Sequence, residues 1–367
     1  MRIAFDIAAL DRGGAERQTL EVAAGLSQAG HDVLLVVNKR ADNFAEYFDR
    51  VRIVELRRPS RWDVRVVTDI RYTLGAFAAD VCVCVLFNAS LWGRLAAAST
   101  GCLVVVAEHS TKAVTPLAER STNILLGNAT SAVIACADAQ VEALVRGGHQ
   151  RRKIHVVRNG VNVSRFARDG RGAAKIRARL GIPPDGVLIM IAAAHRQEKR
   201  QDRFVSLIEH LHGSGVPAWG IMVGGGPLLE QATSLAEASP VSDWLRVTGP
   251  VEDMPAAYSA ADVVVLVSDD IETFPLSLLE AQACEVPVVS MDAGGVRETL
   301  IEGHTGFVVK QGDIRGMAAV TAALLADPER RARMGRAGRE FVREHLSIEA
   351  MVKGYASVLA HVAENAR

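Results

Sequence analysis

The sequence predicts an α/β protein built from two doubly wound, Rossmann-like domains facing across a cleft. Three observations point there. Short β-branched runs alternate with amphipathic stretches almost from end to end, the pattern of parallel strands covered by helices on both faces. The alternation restarts in the second half on the same plan, and 367 residues suit two domains of ordinary size. Between the halves lies a polar, glycine-containing stretch without periodicity, "RNGVNVSRFARDGRG", from Arg158 to Gly172.

In the first half, strands are expected at 2–8, 32–37, 51–56, 81–86, 103–108, 131–136 and 154–157. Helical periodicity fills most of the gaps, at 15–29, 64–78, 91–99 and 139–146. In the second half, strands are expected at 187–193, 218–223, 245–247, 263–267, 286–290 and 306–309. Helices are expected there at 201–212, 228–238, 255–260, 275–284, 296–301 and 314–326. The tail from Pro328 is helical with a break at "EHLSIEA", where Ser347 is placed to cap a last helix. The expected domains are 1–165 and 166–345, with a final helix, 346–367, packing back toward the first.

Apolar residues make up 49% of the chain, enough for a substantial core. Lys plus Arg and Asp plus Glu are 42 each, and a net charge near zero argues against broad nucleic-acid binding. The five cysteines, Cys82, Cys84, Cys102, Cys136 and Cys284, have no metal-ligand spacing and suit a reducing cytoplasm. The start, "MRIAFDIAAL", is interrupted by Asp6 and lacks the pattern of a signal peptide. No apolar run approaches the ~18 residues of a spanning helix. The expectation is a cytoplasmic protein, at most peripheral on the inner face of the membrane.

The stretch "ETFPLSLLE" puts two carboxylates, Glu272 and Glu280, on either side of a helix start. "ADVVVLVS" before it has the pattern of a buried strand, and Pro275 suits a first helical turn, where its missing N–H is no loss. "DDIET" is then a loop at the carboxyl end of a strand, the edge where open α/β sheets bind ligands. Free N–H groups around Leu276 and Ser277, just after Phe274 and Pro275, make an anion site. Helical spacing puts Leu276, Leu279, Glu280 and Ala283 on one face, so Glu280 needs hydrogen-bond partners, of which a ribose diol is one. Glu272 would reach the other end of the same ligand. The bland alternative is a solvated Glu272 and a salt-bridged Glu280.

Three more stretches sit at strand ends. "RGGAERQ", Arg12 to Gln18, opens a helix with two glycines that let backbone approach an anion, but it is not G-x-G-x-x-G and supports no dinucleotide cofactor. "AAAHRQEKRQ" gathers His195, Arg196, Lys199 and Arg200 where a helix is about to start; a diphosphate would relieve their repulsion by the helix dipole, and a solvated basic turn is the alternative. "VVVAEHST" places His109 just beyond a buried strand, where it can bond a polyol, move a proton, or be merely structural. The glycine turns "VGGGPL" and "DAGGVRE" also follow strands, and Gly294 and Gly295 could present amides to a sugar.

Taken in this order, the stretches resemble the family 4 glycosyltransferases of the GT-B fold. The resemblance spans "GGAER", "VVRNGVNVSRF", "EKRQDRF", "VGGGPLLE", "VTGPVEDMPAAYSAADVVVLVS", "ETFPLSLLEAQACEVPVVSMDAGGVRE" and "TGFVV". It implies a retaining, metal-independent transfer of a sugar from a nucleotide-diphosphate donor, with UDP the first expectation for the nucleotide and no cofactor. It further implies that Glu280 holds the donor ribose, that Glu272 lies near the sugar and phosphates, and that Lys199 neutralises the leaving diphosphate. Gly14 would donate its N–H to the same phosphates, and His109 would lie beside the sugar. Apart from the resemblance, Val251, in the loop after "VTGP", is placed to lie against the base. The family usually carries arginine five residues before this lysine. Here that position is Ala194, and Arg196 is the nearest replacement.

The acceptor, a glycan or a lipid-linked molecule, is expected on the first domain, which points to cell-surface polysaccharide, lipopolysaccharide or glycolipid synthesis. Seven arginines, Arg50, Arg52, Arg57, Arg58, Arg61, Arg65 and Arg71, cluster there with Trp62 and Tyr72, as a docking face for an anionic membrane or acceptor or as a solvated surface of local ion pairs. Three rival functions remain: glycoside hydrolysis by Glu272 and Glu280, which needs carboxylates about 5–10 Å apart across a sugar; sugar-nucleotide epimerisation; and non-catalytic nucleotide-sugar binding.

Overall fold

The apolar runs of the sequence form sheets buried on both faces in a computed structural model, which describes residues 1–10, 13–39, 44, 47, 49–58, 63–111, 114–269 and 272–366. The chain divides into two units, Met1–Gly160 with Ile348–Arg367, and Val161–Ser347.

The first unit begins β1 (Arg2–Ala9), α1 (Gly14–Gln28), β2 (Asp32–Lys39), β3 (Arg52–Glu55), α2 (Val66–Phe77) and β4 (Val81–Val85). It continues α3 (Leu86–Ala97), β5 (Leu103–Glu108), α4 (Leu117–Leu125), β6 (Ala132–Ala135), α5 (Val141–Arg146) and β7 (Ile154–Val156). Its strands lie in the order β3-β2-β1-β4-β5-β6-β7, all parallel. Side chains alternate between two cores, as strand geometry requires. Ile3, Phe5 and Ile7 enter one with Val33, Leu35 and Val83, and Ala4 enters the other with Leu34, Val36, Cys82 and Cys84.

The second unit begins α6 (Gly170–Leu180), β8 (Val187–Ala192), α7 (Gln201–Gly213), β9 (Ala218–Val223), α8 (Leu229–Glu237) and β10 (Leu245–Gly249). It continues α9 (Met254–Ala260), β11 (Val263–Leu266), α10 (Leu276–Ala283), β12 (Val288–Met291) and β13 (Gly306–Val309), followed by α11 (Ile314–Leu325) and α12 (Pro328–His345). Its parallel sheet runs β10-β9-β8-β11-β12-β13. In both sheets the strand order reverses beside the first strand, between β1 and β4 and between β8 and β11, the switch point at which such sheets bind ligands.

The last helix, α13 (Ile348–Asn365), belongs to the first unit. Its Met351, Tyr355, Val358, Leu359 and Val362 share the apolar core of Ile3, Phe5 and Ile7. It packs closely on α1: a Cβ on Gly25 would lie 2.4 Å from Val352 Cγ2.

Four elements differ from the sequence pattern. α6 begins inside the stretch expected as a linker and runs on through residues given no element, because Asp169 in "RDGRG" is a helix cap whose carboxylate accepts from Gly172 N at 2.9 Å. α4 has no apolar inner face for periodicity to detect, since it buries Glu119 and Asn123. α3 starts earlier than expected, at Leu86. The helix expected at 296–301 is a single tight turn, Val296–Glu298.

Candidate active site

The switch point of the second sheet assembles the first group of residues. The turn after β8 carries Lys199, and the loop after β11 leads to Glu272. These two segments are fastened together: Asp269 N donates to Glu198 O at 2.8 Å, and the Asp269 carboxylate pairs with Arg200 at 3.1 Å and Arg203 at 2.9 Å. As a result Lys199 Nζ donates to Glu272 Oε1 in an ion pair. The Glu272 side chain is only 8% exposed and the Lys199 side chain 24%, so removing either partner leaves the other charge poorly compensated.

Glu272 is also held from behind. Gly295 N donates to the Glu272 carbonyl at 3.1 Å. Gly294 has φ +47°, and a Cβ there would fall 1.6 Å from that carbonyl oxygen. The amide of Gly295, which the sequence offered to a sugar, is therefore engaged with Glu272. The glycines of "DAGGVRE" seat the backbone of "ETFP" rather than standing free.

Phe274 and Pro275 are buried and Leu276, half-buried, is the first residue of α10, whose N-terminus has no side-chain cap. Glu280, one turn further along, is buried, and Tyr258 on α9 donates its hydroxyl to Glu280 Oε2 at 2.7 Å. Tyr258 in turn packs edge-on against Phe166, centroids 6.2 Å apart. Glu280 is thus shielded from solvent and tied to a neighbouring helix. Val251 is half-buried in the loop between β10 and α9.

The basic turn does not act as one cluster. His195 is buried, and burial pushes its pKa down, with the Gly224 backbone acting in the opposite sense. Its backbone is pinned by "VGGGPL": His195 N donates to Gly225 O at 2.8 Å and Leu228 N to His195 O at 3.1 Å. Arg200 pairs with Asp202 at 2.6 Å as well as with Asp269. Arg196 is exposed and makes no ion pair among the described residues. A hollow of about 530 Å³ beside this turn is lined by Gln197, Arg200, Asp202, Leu228, Gln231 and Asp269, and not by Lys199, Glu272 or Glu280.

The first unit carries the second group. Gly14 opens α1, whose N-terminus also lacks a side-chain cap; Arg12 lies outside the described residues. Gln18, fully buried, clamps this helix to the end of the unit, donating to Gly160 O and accepting from Gly160 N, both at 3.0 Å.

His109 directly follows β5. Its Nε2 is 3.5 Å from the Tyr355 hydroxyl of α13, and its Nδ1 is enclosed within the unit. Burial pushes its pKa down to about 4, with Asn159 acting in the opposite sense, so the imidazole is neutral near pH 7. Gln140 brackets it, donating from Nε2 to the carbonyls of Glu108 and Ser110, each at 3.1 Å. Gln140 and Tyr355 escaped the sequence because neither lies in a motif; only folding brings them to His109.

In the arginine-rich segment, Arg57 pairs with Glu55 at 3.1 Å, Arg65 with Asp63 at 2.7 Å, and Arg58 with Asp69. Tyr72 is 79% exposed, and Arg61 and Trp62 lie outside the described residues. Among the described residues, no three His, Cys, Asp or Glu side chains converge as metal ligands, and no helix is long and apolar enough to cross a membrane.

Comparison with known proteins gives the same division. Residues 173–341 match the family of glycosyl transferases group 1, and residues 12–165 match Glycosyltransferase Family 4. A GDP-mannose-dependent alpha-(1-6)-phosphatidylinositol monomannoside mannosyltransferase of Mycolicibacterium smegmatis is 34% identical over 194 residues, 51% of this chain and 50% of that protein. A D-inositol 3-phosphate glycosyltransferase of Xylanimonas cellulosilytica is 36% identical over 219 residues, 58% of this chain and 52% of that protein. The matched stretch thus spans about half the length of these relatives. Among solved structures, a glycosyltransferase from Rickettsia africae superposes with a TM-score of 0.87 at 18% identity, covering 99% of both chains. Anabaena HepE, solved with UDP, superposes with a TM-score of 0.85 at 18% identity, covering 98% of this chain and 100% of that one. Both share the fold of this chain.

Proposed function

Because this chain belongs to the family 4 glycosyltransferases, we propose that it transfers a sugar from a nucleotide-diphosphate donor to a glycan or lipid-linked acceptor, with retention and without a metal. The observation that carries this reading is the grouping of Lys199, buried Glu272 and buried Glu280 on segments that leave or follow the two switch-point strands of the second sheet.

Breaking the anomeric bond builds negative charge on the departing diphosphate. Lys199 is the fixed cation for it, and the uncapped N-terminus of α10 adds partial positive charge; the Gly14 amide is the donor we assign to the phosphates from the first unit. Without ligand, Lys199 is held by Glu272; a bound diphosphate competes for the ammonium and leaves the Glu272 carboxylate to sugar hydroxyls. Glu280 accepts from the ribose diol, its rotamer set by Tyr258. His109, neutral, bonds a hydroxyl of the transferred sugar. The acceptor hydroxyl attacks from the face the diphosphate leaves and passes its proton to the diphosphate, so no separate base is required. Arg196, exposed, serves as the mobile second cation in place of the arginine replaced by Ala194. We place the reaction in cytoplasmic synthesis of surface polysaccharide or glycolipid.

A thermal-shift screen of UDP-, GDP- and ADP-sugars tests the reading and selects the base. HepE was solved with UDP and the mycobacterial relative is named for GDP-mannose, so those two arms matter most. One donor should raise the melting temperature, and nucleoside diphosphate should be released on turnover. Lys199→Ala should lower turnover by roughly 10²–10³-fold, and Glu280→Ala should abolish the shift. Stabilisation by no nucleotide sugar, or an unchanged shift in Glu280→Ala, would overturn it. Binding without turnover with any acceptor would leave the non-catalytic reading instead.

A further inference from the structure

α4 is amphipathic in the wrong direction. It buries Glu119 and Asn123 and exposes Leu117 (79%), Ile124 (57%) and Leu125 (80%), with Val114, also 82% exposed, just before it. Leu117, Ile124 and Leu125 recur at helical spacing, so they share one outward face. The inward face is fastened by polar bonds instead. Arg94, wholly buried, donates to Asn123 Oδ1 at 2.8 Å, and Asn123 Nδ2 donates to Gly147 O at 3.0 Å. A large apolar outer face on a helix held by buried polar groups points to an external apolar phase.

The flank of this face is cationic. The segment 146–153 runs alongside α4: the Cβ position of Gly148 falls 2.7 Å from Arg120 O and 3.0 Å from the Ile124 side chain. Arg120, Arg146, Arg151 and Arg152 are all exposed on this flank. Of these, Arg151 pairs with Glu142. Lys153 is turned inward to the carbonyls of Gly127 (2.8 Å) and Thr130 (2.6 Å).

We propose that the α4 face, with its arginine flank, docks the protein onto an anionic lipid bilayer. The leucines and Ile124 enter the boundary between headgroups and acyl chains while Arg120, Arg146 and Arg152 meet lipid phosphates, the pattern of an interfacial helix. Arg120, Arg146 and Arg152 make no ion pair among the described residues, and the exposed carboxylate of Glu142 is already paired with Arg151; this cationic excess beside an apolar stripe favours an anionic membrane over a protein partner of mixed charge. This face is separate from the Arg50 to Arg71 stretch, where three of the described arginines already have carboxylate partners. Since α4 follows the loop of His109, docking would also bring a lipid-linked acceptor toward that residue; this last point rests on the proposed transferase function, the docking itself does not.

Co-sedimentation of the full chain with vesicles tests the proposal. The protein should bind phosphatidylcholine–phosphatidylglycerol vesicles but not phosphatidylcholine alone, and less well as salt rises. Leu117→Ser with Leu125→Ser should weaken binding roughly tenfold or more while leaving the melting temperature and the nucleotide-sugar thermal shift unchanged, because both side chains are exposed. Arg120→Gln with Arg152→Gln should weaken binding and flatten its salt dependence. Absence of binding to anionic vesicles would overturn the proposal, as would binding indifferent to the α4 variants. So would a dimer in light scattering that the leucine variants dissolve, which would make the face a self-association surface. Failure of nucleotide sugars to bind would instead strike the proposed function and leave the docking result standing.

Discussion

Asp6 shows how one residue's environment reverses its ordinary chemistry. It sits on β1 with 4% exposure, and its Oδ2 has no hydrogen-bond partner among the described residues. Burial pushes its pKa from 3.8 to about 8. The folded protein therefore holds a proton there that the unfolded chain releases above about pH 4. The stability this contributes is present at acid pH and is lost as pH rises through about 8. Asp6→Asn, which keeps the neutral shape, should raise the melting temperature at pH 9 by several degrees and change it little at pH 5. An equal change at both values in thermal unfolding would refute the account. Glu280 differs in how much was visible beforehand. Its burial followed from helical spacing behind Pro275, but its partner Tyr258 could not be read from the sequence, because the two residues belong to different helices.

At the scale of elements, the glycine turn and the acidic loop form one unit. Gly294 has a left-handed backbone and lies against the Glu272 carbonyl, so a methyl group there both strains φ and displaces the loop. Gly294→Ala should cost about 1–3 kcal/mol in urea unfolding and remove the nucleotide-sugar thermal shift. Retention of both would show that the turn does not seat Glu272. The sequence announced both motifs but not their contact, in which the Gly295 amide donates to the Glu272 carbonyl. Elements with buried apolar stripes, such as α1, α7 and β4, were legible because burial and periodicity coincide there. α4 was not, because tertiary hydrogen bonds bury its polar side. α6 was not, because its cap, Asp169, sits among glycines and arginines that otherwise spell a loop.

At the scale of the whole molecule, the chain's end completes its beginning. α13 supplies Met351, Tyr355, Val358, Leu359 and Val362 to the core of the first unit, each worth about 1.5–3 kcal/mol of burial. A chain ending at Ser347 should lose the cooperative calorimetric transition of the first unit and keep that of the second. Two intact transitions would refute this. Tyr355 also carries its hydroxyl to within 3.5 Å of His109 Nε2. By itself the sequence determined the two parallel-sheet units, the strand ends at which Lys199, Glu272 and His109 emerge, and the family, because alternation, turn chemistry and motif spacing are local properties of the chain. Only the tertiary structure decided that Lys199 is held by Glu272, that the glycines of "DAGGVRE" seat that glutamate, and that α4 turns its leucines outward. Each of these depends on contacts between segments far apart in the chain, whose geometry is fixed by the packing of the sheets and helices that carry them.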